Sequence, residues 1–401
     1  MSGSDRSPRF RDAHTHLAAG AADLLGIDLR SRRTGDDTSQ ALAEAAGTVP
    51  PGAWIRGWGW DGETPPRDLA PRHPVFIARR DGHAAWLNAE ARRALGLSTE
   101  TPLVAEAAFD AARRQLPERS SSERVEALRP RVAELFGSGV AAVDDMVEPW
   151  APEVYAVLRD RGELPVAIGM WLPETLTELD AEAIRRAFPE GDAGIATRGI
   201  KIFLDGSLFS RTAALSRPYA DDPACVGALR IPERDVDDRV LRWASKGWPV
   251  AIHAIGDLAV SIALDAIERA PRPRHGAHRI EHAQVVLRAD LPRFSRLGVA
   301  ASLQPGHWRD DRAWLSARLG ARPEVVAHPL RSLARSGATI LFGSDWPVSD
   351  WSPETVLAAA TDPERGDEAL DAAEASAWYT SRPPCPTPSS SKGSSSTASM
   401  A

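Results

Sequence analysis

Residues 9–17 read RFRDAHTHL, a short run whose side chains alternate between two faces if the run forms a strand. Seven further short apolar runs follow, at residues 140–147, 165–172, 199–204, 249–255, 279–284, 298–304 and 339–344. Amphipathic patterns typical of helices lie between them, such as VYAVLRDRG at 154–162 and LAVSIALDAIERA at 258–270. Eight strands that alternate with helices predict an α/β fold, a TIM-like (β/α)8 barrel, whose working residues lie at the carboxyl ends of the strands.

Two parts of the chain do not fit this alternation. Residues 18–139 are too long for one crossover and contain a Trp-, Gly- and Pro-rich stretch, PGAWIRGWGWDGETPPRDLAPRHP, at 51–74. We interpret 18–139 as containing an inserted cap over the barrel mouth. Residues 1–8 and the Ser- and Pro-rich residues 380–401 are predicted to be disordered, because the tail has too little apolar surface to support a fold. The barrel is then expected to span residues 9–379.

The composition excludes several classes of protein. The 401 residues are 43% hydrophobic and 26% charged, which suits a large buried core, and their formal net charge of −7 disfavours nucleic acid and anionic membranes as partners. No apolar run approaches the roughly 18 residues that a membrane span needs, and the first residues lack an apolar signal core. We therefore expect a cytoplasmic protein, and we leave a homo-oligomer open. Only two cysteines are present, so any metal must be bound by nitrogen and oxygen.

Polar side chains follow several of the predicted strands. His14 and His16 share a face at the end of the first run, where two imidazoles can chelate a divalent ion or can be ordinary polar histidines. His253 and His282 end the fifth and sixth runs, and Asp345 follows the eighth. Because parallel strands bring their carboxyl ends together, we expect these side chains to meet. Asp345 is then either a helix cap or a metal ligand and general base.

One lysine lies in an unusual place. Of the 48 basic residues only three are lysines, and Lys201 lies within the apolar fourth run, on the same face as Phe203 and Asp205. A buried ammonium is costly unless it is paired or loses its charge. One interpretation is a salt bridge from Lys201 to Asp205 or to a carboxylate of the metal site. The other is that the neutral amine adds carbon dioxide and becomes a carbamate, a carboxylate-like ligand that can bridge two cations.

The combined pattern resembles a known family. The residues on the presumed strands resemble the metal ligands of the amidohydrolase superfamily: His14, His16, Lys201, His253, His282 and Asp345. Further stretches are similar to the amidohydrolase-3 branch, which contains N-substituted formamide deformylases. They are GWGWD (57–61), DGHAAWLN (81–88), KIFLDGSL (201–208), RTAAL (211–215), HAIGD (253–257), HRIEHAQ (278–284), SLQP (302–305) and GSDWPV (343–348). The resemblance covers about residues 9–380.

The resemblance implies a metal-dependent hydrolase with one or two divalent ions, most simply zinc. Its small-molecule substrate would contain a non-peptide C–N bond, as in an amide or formamide. Metal-activated hydroxide would attack the carbonyl, with Asp345 as general acid and base. Two alternatives stay open. One is a deaminase on the same scaffold, although the presence of Lys201 argues against it. The other is an inactive truncated remnant. The remnant is considered because this sequence is expected to lack most of the small β-sandwich that family members build from their two chain ends.

Six residues are candidate substrate contacts: His83, Trp86, Asn88, Asp205, Arg211 and His307. The first three could form a pocket with Trp58 and Trp60 that stacks on an apolar amide substituent. The alternative is that the tryptophans fill the small core of the cap. His307 follows the seventh run and could face the pocket, whereas Asp205 and Arg211 rest on weaker grounds. His73, His275 and His328 are assigned no role.

Overall fold

A computed structural model describes residues 10–32, 34–60, 65–97, 101–192 and 194–380. The predicted disordered segments, 1–8 and 380–401, lie outside these residues except for Thr380, which ends a helix. The strands in chain order are β1 (Phe10–Thr15), β2 (Ile27–Asp28), β3 (Ile55–Trp60), β4 (Val75–Arg79), β5 (Ala84–Leu87), β6 (Leu103–Ala105), β7 (Val140–Met146), β8 (Ala167–Pro173), β9 (Ile195–Phe203), β10 (Val250–Ala254), β11 (Arg279–His282), β12 (Val285–Leu287), β13 (Ala300–Leu303), β14 (Val325–Ala327) and β15 (Thr339–Phe342).

Helices connect these strands. They are α1 (Leu17–Asp23), α2 (Gly35–Ala46), α3 (Ala89–Ala94), α4 (Glu106–Arg114), α5 (Ser121–Gly137), α6 (Ala151–Asp160), α7 (Glu178–Ala187), α8 (Glu233–Ala244), α9 (Asp257–Arg269), α10 (Leu291–Leu297), α11 (Pro305–Asp311), α12 (Leu315–Leu319), α13 (Leu330–Arg335), α14 (Pro353–Ala360) and α15 (Ala372–Thr380), with a 3-10 segment at Pro363–Glu368. The two helical patterns quoted from the sequence correspond to α6 and α9. No helix among the described residues is both long and apolar enough to cross a bilayer.

Eight parallel strands form a nearly closed barrel in the order β1, β7, β8, β9, β10, β11, β13, β15. The barrel closes at the site end, where Thr15 bridges Trp346 and the amide of Asp345 donates to the carbonyl of His14 at 2.7 Å. All eight predicted runs contain barrel strands, so the predicted (β/α)8 fold is confirmed. The fourth strand begins at Ile195, earlier than predicted, because Ile195 and Ala196 are also buried although Arg198 and Gly199 interrupt the apolar run.

A second sheet lies within the segment predicted to contain a cap. Strands β2 to β6 pair in chain order, with β2, β3 and β4 parallel and the last two pairings antiparallel. The helices at the two ends of the segment, α1 and α5, contribute instead to the apolar cluster of the barrel. The second sheet therefore occupies only the middle of residues 18–139.

The outer face of the barrel packs on the surrounding helices. On β9, Ile200, Ile202 and Leu204 point outward into one apolar cluster with side chains of α8 such as Val240 and Trp243. All five side chains are at most 1% exposed. Complete burial of a residue of this size contributes about 1.5–3 kcal/mol, so these contacts between strand and helix stabilise the barrel.

The inner face of the barrel is charged. Arg279 on β11 donates to Asp144 at 2.9 Å and pairs with Glu281 at 2.7 Å, with all three side chains at most 4% exposed. Its guanidinium also donates to the carbonyl of Ala13 at 2.6 Å and to Ser302 at 2.8 Å. Arg279 thus joins β1, β7, β11 and β13 through the barrel interior.

Loss of this guanidinium should destabilise the fold strongly. Arg279→Met leaves the buried Glu281 carboxylate without its cation, so we expect the free energy of unfolding to fall by about 3–5 kcal/mol. The matched control is Arg269→Met, because Arg269 forms an exposed pair with Asp237, and its loss should cost at most about 1 kcal/mol. Urea unfolding followed by tryptophan fluorescence measures both values, and equal losses in the two variants would contradict the proposed role of Arg279.

Candidate metal centre

Side chains from both ends of the chain meet at the carboxyl end of the barrel. Nε2 of His14 lies 3.3 Å from Oδ1 of Asp345, and Nε2 of His16 lies 3.4 Å from the same oxygen. His14 is completely buried, whereas the side chain of His16 is 27% exposed. The two histidines of β1 therefore face one carboxylate, with His16 on the solvent side.

The histidines of the fifth and sixth barrel strands complete the cluster. The His282 ring lies 4.8 Å from that of His14 and 4.5 Å from that of His253, measured between centroids. One donor atom from each of His14, His282 and Asp345 lies within 4.8 Å of the other two, a spacing that could hold a metal ion.

The second ring nitrogen of each buried histidine is held by an acceptor. Nδ1 of His14 lies 2.5 Å from Glu281, and Nδ1 of His282 lies 2.8 Å from the amide oxygen of Gln304. Nε2 of His253 lies 3.1 Å from the carbonyl oxygen of Gly206. Such acceptors orient a ring and set its tautomer, which leaves the opposite nitrogen available to a metal.

The backbone is strained at two of these positions. His282 and Asp345 have φ angles of 75° and 58°, in the left-handed region that non-glycine residues rarely adopt. Such conformations cost of the order of 1–3 kcal/mol and cluster at functional sites. The carboxylate of Asp12 supports this geometry, because it accepts from the amides of His14 at 3.2 Å and Ser344 at 2.9 Å and so ties β1 to the segment after β15.

Lys201 lies beside the cluster without a carboxylate partner. Among the described residues its Nζ forms no hydrogen bond or ion pair, and it lies 4.8 Å from the Phe203 ring. The salt bridge to Asp205 is absent, because Asp205 accepts instead from the amides of Ala214, Ile255 and Gly256 at 2.9–3.0 Å. Burial lowers the pKa of Lys201 to about 8, although Glu281 and Asp345 favour its charged form.

Burial and neighbouring residues together set the protonation of the other groups. It lowers the pKa of His16 to about 3 and the pKa values of His253 and His282 well below the ordinary value, so these three imidazoles are neutral at neutral pH. Burial alone would raise the pKa of Asp345, but the neighbouring His14 and His307 outweigh it and hold that pKa well below the usual range. Neutral imidazoles and an ionised carboxylate are the forms that bind metal.

The residues fit a divalent metal ion. Several buried polar atoms at the cluster have no hydrogen-bond partner among the described residues, among them Nε2 of His14, Nζ of Lys201 and Oδ1 of Asp345. Buried polar atoms of this kind need a partner. Imidazole nitrogen and carboxylate oxygen form the donor set that zinc uses in proteins, with no thiolate required.

Two of the predicted substrate contacts lie next to this cluster. The His83 ring lies 5.2 Å from that of His253. Nε2 of His307 lies 3.3 Å from Oδ2 of Asp345, and its ring stacks on His282. Both side chains are less than a tenth exposed, and the structure brings both to the predicted metal ligands.

The side chains of the other predicted contacts have partners within the protein. The side chain of Asn88 caps α3 and binds the amide of Val75, and Trp86 packs in the apolar cluster of the second sheet. Arg211 is half-buried and pairs with Asp221 at 2.9 Å. Asp205 accepts from three backbone amides, as described above, and its Oδ1 also lies 3.6 Å from Nε2 of His253. Their roles in substrate binding stay predictions.

The tryptophans belong to the packing of the second sheet. Trp58 is 5% exposed and packs with Phe76 and Phe109, and Trp60 is 1% exposed and packs with Trp86. The structure therefore supports the interpretation in which they fill the small core of that region.

Four residues of the site were missed in the sequence: Asp12, Glu281, Gln304 and Glu106, whose Oε2 lies 3.2 Å from Nδ1 of His83. Glu281 had a local signal, because it alternates with Arg279 on the inward face of β11. Asp12 likewise shares the face of His14 on β1. Glu106 and Gln304 act through partners distant in sequence, and no local pattern indicates them.

Comparisons with known proteins define the class. A model of the amidohydrolase family matches residues 7–383, so the chain belongs to this family and is a hydrolase by class. A crystal structure of an uncharacterized metal-dependent hydrolase from Pyrococcus horikoshii OT3 shares its fold, with a TM-score of 0.74 and 29% identity over 93% of this chain and 79% of that one.

Two curated relatives are similar over most of the chain. One is Protein LONG AFTER FAR-RED 3 of Arabidopsis thaliana, 29% identical over 387 residues that cover 86% of this chain and 66% of the relative. The other is the N-substituted formamide deformylase of Arthrobacter pascens, which is 25% identical over 444 aligned positions. That alignment covers 96% of this chain and 79% of the relative. The chain thus spans about two thirds of the length of the Arabidopsis relative.

The candidate metal centre predicts a specific pattern of metal content. Protein produced with ample zinc should contain at least one tightly bound ion per chain, and the double variant His14→Ala/His282→Ala should lose most of it because two ligands are removed. His275→Ala is the control, since His275 is exposed and outside the cluster. Elemental analysis measures the content, and unchanged metal in the double variant would show that the ion binds elsewhere.

Proposed function

We propose that the chain is a metal-dependent hydrolase that cleaves the C–N bond of a small-molecule amide, with N-substituted formamides as the first class to test. The observation that carries the proposal is the set of buried atoms without a hydrogen-bond partner among the described residues, contributed by His14, Lys201 and Asp345 at the carboxyl end of the barrel. The formamide class is favoured because the Arthrobacter relative is an N-substituted formamide deformylase.

The proposed ligands are His14, His16, His253, His282, Lys201 and Asp345. A bound divalent ion, zinc in the simplest case, would activate water and polarise the substrate carbonyl. The second-nitrogen contacts to Glu281, Gln304 and Gly206 would keep three of the imidazoles in the orientation that binding requires.

Asp345 would carry the proton. Its Oδ1 faces His14 and His16, and its Oδ2 faces His307, so the carboxylate borders the position where substrate and water would meet. In the proposed reaction Asp345 accepts a proton from the attacking water as the new C–O bond forms. It then donates that proton to the nitrogen as the C–N bond breaks, which gives a carboxylic acid and an amine.

Lys201 would supply a further anionic ligand as a carbamate. The neutral amine attacks carbon dioxide, an N–C bond forms and the amine releases a proton, so that a carboxylate replaces an unpaired ammonium. A pKa of about 8 leaves an appreciable neutral fraction near pH 8, and the absence of a carboxylate partner among the described residues favours this form.

Asp345→Asn tests the proton transfer. The amide keeps the shape of the side chain but cannot accept the proton, so we expect kcat on N-benzylformamide to fall by about 10²–10⁴-fold while some metal remains bound. The matched control, Asp350→Asn, changes an exposed aspartate and should retain full activity. Release of benzylamine and formate measures turnover, and a wild-type chain that is loaded with metal but hydrolyses no amide of a broad panel would refute the proposed function.

Lys201→Ala tests the carbamate. The variant should lose at least about tenfold in activity because an anionic ligand is removed, and millimolar formate or acetate should restore part of it by occupying the vacated position. Lys246→Ala is the control, because Lys246 forms an exposed pair with Glu178. Carbon-13 bicarbonate should label the wild-type protein at one site that Lys201→Ala lacks, and the absence of that signal would exclude the carbamate.

A further inference from the structure

The second sheet contributes a histidine to the rim of the metal centre. His83 directly precedes β5, its side chain is 8% exposed, and its ring is 5.2 Å from that of His253. The ring therefore borders His253, one of the proposed metal ligands. Any substrate bound at that centre would pass beside it.

Glu106 holds this histidine by one ring nitrogen. Oε2 of Glu106 lies 3.2 Å from Nδ1 of His83 and 3.0 Å from Nη1 of Arg230. Because the paired carboxylate is an acceptor only, Nδ1 of His83 must be the donor. Arg230 also pairs with Asp110, so the Glu106 carboxylate that it binds has a fixed position.

The Glu106 side chain is built into the contact between the second sheet and the barrel. The backbone φ angle of Glu106, 49°, lies in the left-handed region, a conformation that persists only where the surrounding structure enforces it. A Cβ atom at Gly206, in the loop after β9, would lie 2.3 Å from Oε1 of Glu106, so only glycine leaves room for the carboxylate. Nearby, Asp81 accepts from Ser207 at 2.7 Å and joins the same two regions.

From this geometry we propose that Glu106 positions His83 to accept a hydrogen bond from an N–H group of the substrate. Burial lowers the pKa of His83, but Glu106 outweighs it and raises that pKa. Above that pKa the ring keeps its proton on Nδ1, and the lone pair of Nε2 is free to accept a hydrogen bond. This inference rests on the proposed amide hydrolysis and deepens it. The enzyme selects amides that keep an N–H, such as N-monosubstituted formamides, over N,N-disubstituted ones.

The selectivity is expected to be large enough to measure. A site that offers a buried acceptor discriminates against an analogue without the matching donor, since the acceptor is then left unpaired. We expect kcat/KM for N-benzylformamide to exceed that for N-benzyl-N-methylformamide by at least about tenfold in the wild-type protein. His83→Phe, which keeps the ring size but has no acceptor, should reduce this ratio several-fold.

Variants of Glu106 separate positioning from a purely structural role. Glu106→Ala frees the His83 ring and should reduce the ratio of the two kcat/KM values, whereas Glu106→Gln retains an acceptor for Nδ1–H and should preserve most of it. Partial unfolding lowers both rates equally and leaves their ratio unchanged. His275→Phe is the control for histidine replacement at an exposed position.

A second readout is independent of turnover. Nitrogen-15 spectra of metal-loaded protein at pH 8.5 should show His83 with its proton on Nδ1, and Glu106→Ala should lose this preference. A proton on Nε2 in the wild-type protein, or an unchanged selectivity ratio in His83→Phe, would overturn the inference while the hydrolase function stands. A wild-type protein that hydrolyses neither formamide nor any other amide would remove the proposed function, and this inference with it.

Discussion

The buried ion pair between Arg279 and Glu281 is the interaction on which the rest of the site depends. Arg279 on β11 contacts three further barrel strands through Asp144, Ala13 and Ser302, and it pairs with Glu281. Glu281 in turn lies 2.5 Å from Nδ1 of His14 and so fixes the position of that imidazole. Burial opposes ionisation of Glu281, but Arg279 and His14 outweigh it and hold the pKa of that carboxyl well below the usual range. The charge inside the barrel therefore stabilises the fold and orients a metal-binding imidazole at the same time.

The barrel and the second sheet have different proposed roles, namely metal binding and selection of the substrate. Barrel strands carry the proposed metal ligands on short, buried segments, which keeps their donor atoms in place. The second sheet supplies His83 and the residue that orients it, Glu106, from segments that lie between β1 and β7. A change in this segment could alter which amides are accepted without altering the proposed metal centre.

Much of the fold was predictable because alternation of apolar residues is a local property. The outward face of β9, with Ile200, Ile202 and Leu204, could be read directly, and so could the shared face of His14 and His16. Alternation fails at the strand ends: Glu281 and His282 are neighbours yet both reach the site, because the φ of 75° at His282 turns its side chain back toward the barrel axis. The role of Glu106 depends on contacts with His83 and Arg230, 23 and 124 positions away, which no local pattern contains.

The central claim is that these strand-end side chains bind one metal centre, and anomalous diffraction at the zinc absorption edge tests it most directly. Crystals of protein produced with zinc should show a strong anomalous peak bounded by Nε2 of His14, an imidazole nitrogen of His282 and Oδ1 of Asp345. A peak only at surface histidines such as His275, or no peak in protein shown by elemental analysis to contain zinc, would contradict the account.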